Sequence, residues 1–174
     1  MKLHYLFLLF GFSLFAQDVE TLSWDKAMIN EKVPMTISKA DFDKIYKKTD
    51  SITAPLPDQV CTAEEAADAK MLYYKGVRYE LNNGMLNFRS IDFSKRKNMY
   101  FSHKDDWFDQ STTLKTLVRD YPVACSLVED YITEDGEEFE MVVFFPEKSS
   151  DKFEWRFFFK NGRLHSIEAW LYCK

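Results

Sequence analysis

The stretch Phe153-Glu-Trp-Arg-Phe-Phe-Phe-Lys-Asn-Gly-Arg-Leu-His-Ser-Ile-Glu-Ala-Trp170 decides the fold. Two runs rich in aromatic and apolar residues flank Asn161-Gly162, the pair that best accepts the positive φ angles of a two-residue type I′ turn. With two residues in the turn, Lys160 faces Arg163, and the register follows by counting outward. That count places Phe153, Trp155, Phe157, Phe159, Leu164, Ser166, Glu168 and Trp170 on one face, the expected core face. The other face carries Glu154, Arg156, Phe158, Lys160, Arg163, His165, Ile167 and Ala169.

Working upstream, Asp135-Gly136 joins Leu127–Thr133 to Glu138–Phe145 as a second hairpin, with Pro146 ending the run. Together the two hairpins make a four-stranded meander. Before it, residues 111–122 combine a capping hydroxyl, apolar Leu114, Leu117, Val118 and Tyr121, and a proline stop, the pattern of a short amphipathic helix. The front half has the same order. A helix begins at Ser38 with Phe42, Ile45 and Tyr46 on one face, and Thr62-Ala-Glu-Glu65 resembles a capping box. Met71–Leu81 and Leu86–Phe93 then read as strands around Asn83-Gly84, with Lys75-Gly76 a turn that splits the first run, and Asn98–His103 offers one more strand.

Asn83-Gly-Met-Leu86 recurs as Asn161-Gly-Arg-Leu164, and Ser90-Ile-Asp92 recurs as Ser166-Ile-Glu168. The recurrence points to two repeated halves, about 36–104 and 108–173, inside a single compact domain spanning 17–174. The expected class is α+β: a long antiparallel sheet made from two helix-plus-meander units, with the helices packed on one face.

The N-terminus reads as an export signal. Lys2 supplies the charge, Tyr5–Phe15 the apolar run and Ala16 the small residue of a cleavable leader covering 1–16. The run is shorter than the ~20 residues of a spanning helix, so no membrane anchor is expected. Cleavage leaves 158 of 174 residues and, with Lys2 gone, a formal charge of −6 in place of −5. The expected location is periplasmic or secreted. The acidic balance argues against a nucleic-acid partner, which needs clustered Lys and Arg. Three cysteines allow one disulfide: Cys61 to Cys173 is the expected pair, leaving Cys125 as a buried thiol, although spacing also permits Cys125 with either. Closing so long a loop is worth about 4 to 5 kcal/mol in the chain-entropy account.

Chemistry-bearing residues are sparse. His103 sits in Ser102-His-Lys-Asp-Asp106, where imidazole and carboxylates could form an acid/base pair, though a polar loop is the favoured reading. Trp107-Phe108 follows, either an exposed aromatic anchor or core packing. Glu168 falls among Trp155, Phe157 and Trp170 in the counted register; burial there raises a carboxylate pKa unless the strand end is solvated or a cation pairs with it. The acidic run from Glu129 to Glu140 fails as a calcium loop, because placing Gly136 at the loop glycine puts Tyr131, Thr133 and Val142 at ligand positions. An acidic hairpin tip of this kind could instead meet a basic partner. Hydrolase elbows, zinc-helix motifs, Walker loops and dinucleotide fingerprints are absent from the sequence, so no cofactor or metal is expected.

The layout resembles the tandem helix-and-four-strand units of β-lactamase-inhibitor-like proteins over residues 36–173. The Phe159–Ile167 hairpin is similar to the closing hairpin of small envelope-assembly lipoproteins. The resemblance implies a noncatalytic protein that binds another protein in the cell envelope or outside the cell, in the manner of an inhibitor, immunity protein or assembly factor. It carries over no binding residues. The alternative is a small secreted hydrolase or glycan-binding module with its site near His103 or Glu168.

Overall fold

The computed structural model describes residues 19–56, 68–147 and 152–172. The expected leader, the Thr62 capping box and the Cys61–Cys173 pair lie outside the described residues. In chain order the elements are β1 (Ala27–Ile29), β2 (Val33–Pro34), β3 (Thr36–Ser38), α1 (Lys39–Ile45), β4 (Ser51–Thr53), β5 (Lys70–Tyr74), β6 (Val77–Asn82), β7 (Met85–Asp92), β8 (Phe101–His103), β9 (Asp106–Phe108), α2 (Leu114–Asp120), β10 (Val128–Ile132), β11 (Glu138–Phe144), β12 (Phe153–Lys160) and β13 (Arg163–Leu171).

Two antiparallel sheets carry the described chain. The large one runs β10-β11-β12-β13-β7-β6-β5-β4, with β3 added against the start of β7; the small one runs β2-β1-β8-β9. Asn83-Gly84 and Asn161-Gly162 take positive φ at both turn positions, as a type I′ turn requires, and so does Lys75-Gly76. β13 meets β7 through three pairs, Ser166 with Asp92, Ile167 with Ile91 and Glu168 with Ser90. The two tripeptides that recur in the sequence are therefore each other's neighbours at the centre of the sheet.

The expected α+β class is corrected: the described chain is mostly β. α1 and α2 have seven residues each. A helix of that length spans roughly 10 Å, whereas a sheet this wide extends about 35–40 Å, so two such helices cannot form its covering layer. The small sheet does most of that work. Phe101 of β8 packs edge-on against Trp155 at 5.2 Å, and Phe108 of β9 against Phe157 at 5.3 Å. α1 contributes Phe42 over Tyr74 and Tyr79, and α2 contributes Leu117. Both helices are capped as their sequences suggest: the Ser38 hydroxyl accepts from the Asp41 amide, and Thr113 and Thr116 form a reciprocal box.

The hairpin register is corrected as well. Phe159 pairs with Leu164, but Phe158 pairs with Ser166, so His165 is an extra residue on β13. Such a bulge moves every later side chain to the opposite face. The core face therefore carries Trp155, Phe157, Phe159, Leu164, Ile167 and Ala169, all buried, while Ser166, Glu168 and Trp170 point outward.

Candidate functional site

The four residues singled out in the sequence are split between two opposite surfaces. His103, Trp107 and Phe108 belong to the β8–β9 hairpin, in which His103 pairs with Asp106 and Ser102 with Trp107. His103 is buried, its Nε2 accepts the Ser23 amide at 3.1 Å, and it lies 3.2 Å from the Ser23 hydroxyl. Burial, with the Lys104 charge second, holds its pKa below the ordinary value. The neighbouring carboxylates do not converge on it. Asp106 accepts from the Tyr121 hydroxyl, whose own pKa burial pushes up, and Asp109 accepts from the Ser111 amide and hydroxyl. Strand alternation sends Phe108 into the core and leaves Trp107 63% exposed, its indole donating to Glu31 at 2.9 Å.

Glu168 lies on the far side of the large sheet, opposite in register to Arg156 on one flank and Ser90 on the other. The bulge at His165 thus removes it from the aromatic core, and a joint site with His103 is not formed. Trp170 is also on this outer face, stacked under the Arg156 guanidinium at 3.9 Å. Arg156 donates to Glu154 at 2.7 Å, and Glu154 in turn accepts from Tyr172, whose pKa is pushed up to about 12 by burial and by that carboxylate. Trp107 and Trp170 therefore occupy opposite surfaces and do not make a common aromatic platform.

Two features of the outer face were hidden from sequence. The first is a depression of about 340 Å³ over the β7–β13 junction, between Arg78, Ser90, Glu168, Ser166 and the Tyr131 and Phe158 rings. Arg78, Ser90, Glu168 and Arg156 lie in one row across β6, β7, β13 and β12. The recurrence of Ser-Ile-acid was the available signal; only the antiparallel pairing makes it a place.

The second feature is the β10 edge, one of the two ends of the large sheet's strand order among the described residues. β10 pairs with β11 on one side and ends the strand order on the other. Leu127, just before the strand, is 75% exposed; Ile132 is 64% exposed and Val128 is also exposed, on the face of Val142. Glu129 and Asp130 lie between them, and Glu134, Asp135, Glu137 and Glu138 follow in the hairpin tip. Of these, Glu137 is held by Lys160 at 2.8 Å, which lowers its pKa.

No protein family, curated protein or solved structure compared with this chain matches it. Among the described residues, no three His, Cys, Asp or Glu side chains gather as a metal site needs, and no helix is long and apolar enough to cross a membrane. Cys125 is a free, buried thiol whose pKa burial and Glu20 push up to about 11, which leaves it little thiolate for chemistry.

Proposed function

We propose that this protein is an exported, noncatalytic binding module that receives an extended, basic segment of a partner protein along the outer edge of β10. The observation that carries the proposal is the β10 edge, which no other strand among the described residues pairs, with exposed Leu127, Val128 and Ile132. A free edge offers a row of backbone donors and acceptors, and an incoming strand gains affinity from that ladder and specificity from alternate side chains. Val128 and Ile132 share the face of Val142, so an added strand would extend the apolar surface there.

Charge selects the class of partner. Pairing of β10 with a second β10 about Asp130 would set carboxylates against carboxylates, a repulsive arrangement, whereas Lys or Arg on an incoming strand would meet Glu129, Asp130 and the acidic tip. The same charges that guard the edge against self-association favour a basic segment.

Fluorescence anisotropy with a short labelled peptide of alternating Lys and Val tests this, with an alternating Glu-Val peptide as control. Expected is salt-sensitive binding of the Lys-Val peptide, weakened about tenfold or more in the Leu127→Lys/Ile132→Lys double variant, which removes the apolar contacts and adds like charge at sites exposed enough to leave the fold intact. Equal binding of both peptides, or binding indifferent to the double variant, overturns the reading.

A further inference from the structure

We propose that the depression over the β7–β13 junction is a binding site for a neutral, polyhydroxylated ligand of the saccharide class. The site arises from small residues at the middle of the sheet. Ser90 and Ser166 occupy diagonal positions about the Ile91–Ile167 pair, and each is opposite an acidic residue, Glu168 and Asp92 respectively. Larger side chains surround these two serines. Arg78 stands beside Ser90 on β6, and Phe158 beside Ser166 on β12. Tyr131 reaches in from β10, its ring 5.1 Å from that of Phe158. The resulting hollow of about 340 Å³ lies at the lower end of the ~300–1,000 Å³ of small-molecule pockets, the size for a small ligand of one or two rings.

The charges decide the ligand class. The depression mixes a guanidinium with three carboxylates, two of which have donors: Asp92 accepts from the Ser94 amide and hydroxyl, and Glu137 from Lys160. A cationic ligand at Asp92 or Glu137 would have to displace those donors, and an anionic one would sit among three carboxylates, whereas a hydroxylated ring donates and accepts at once and leaves the pairs in place. Hydrogen-bonding capacity of both kinds lines the hollow, since the hydroxyls of Ser90 and Ser166 each donate and accept. Tyr131 and Phe158 give an aliphatic ring face something to lie against. The hollow shares Tyr131 with β10, so the two readings are told apart by their probes: neutral saccharides for the hollow, the Lys-Val peptide for the edge.

The test is a titration followed by backbone amide chemical shifts, using methyl β-glucoside, N-acetylglucosamine and maltose as neutral probes, with glucuronate and glycylglycine as charged ones. Expected are saturable shifts centred on Ser90, His165, Ser166 and Glu168 with at least one neutral probe, and weaker or no shifts with the charged ones. Ser166→Leu fills the hollow and is expected to abolish those shifts, and Glu168→Gln to weaken binding roughly tenfold. Both positions face outward, and an unchanged amide spectrum elsewhere reports an intact fold. No localised shift with any neutral probe, shifts with charged probes alone, or shifts that survive Ser166→Leu would overturn the proposal.

Discussion

Ile91 of β7 pairs with Ile167 of β13, and both side chains are fully buried beneath the junction that unites the two meanders. The ladder there has three pairs, while β12 and β13 share eight. Side-chain packing therefore has to supply what the short ladder does not. Truncating either isoleucine to alanine is expected to cost about 2–5 kcal/mol, measured by urea unfolding, with a non-additive double variant because the two are a direct cross-strand pair. Additive losses below about 1 kcal/mol each would show that the junction is held elsewhere.

Gly76 and Gly84 occupy similar turns and should respond differently to alanine. Both have positive φ, +87° and +75°. A Cβ at Gly76 would come within 2.6 Å of the Asp92 carbonyl oxygen, whereas one at Gly84 would meet nothing within 4 Å. Gly84→Ala is expected to cost the left-handed penalty alone, about 1–2 kcal/mol, and Gly76→Ala about 1–3 kcal/mol more for the clash. Equal midpoints in urea would contradict the close approach of that turn to β7.

His103 sets an acid limit on stability. Its Nε2 accepts a backbone amide, so the folded ring is neutral, and its pKa lies below the ordinary 6.5. Below pH 6.5 the unfolded chain takes up a proton that the folded chain refuses, so stability falls as pH drops from that value toward the lowered folded pKa. Thermal unfolding between about pH 5 and 7 is expected to show this slope in the native sequence and a flatter profile in His103→Gln. An identical slope in both would assign it to other groups.

Thiol labelling tests the expected Cys61–Cys173 bridge. Denaturation without reductant, followed by alkylation and mass mapping, is expected to give one label, on Cys125. Labels on Cys61 and Cys173 would contradict the pairing. In the folded protein Cys125 should alkylate slowly, since its thiol pKa is pushed up to about 11.

Local rules read correctly where the sequence carried its own geometry. Asn-Gly pairs fixed two tight turns and Lys75-Gly76 a third, and Ser38 and Thr113 cap helices through their own hydroxyls. Periodicity failed where tertiary pairing intervened. A single extra residue, His165, reverses the faces of the last strand, and no count outward from Asn161-Gly162 reveals it. The small sheet was less legible: Asn98–His103 reads as a strand and holds β8, but its partners do not show. β1, β2, β8 and β9 have two or three residues each, too few for an alternating pattern, and β1 finds β8 only after most of the large sheet's first half intervenes. The Glu168 position, the Ser90–Ser166 hollow and the covering layer follow from those two events, which is why the candidate site was less legible than the hairpins.

The most direct measurement of the central claim is amide hydrogen exchange along β10 with and without the alternating Lys-Val peptide. The account predicts slowed exchange concentrated in residues 127–132, because an added strand supplies partners to backbone groups that now face solvent. Exchange unchanged along β10 while the peptide is bound would contradict it.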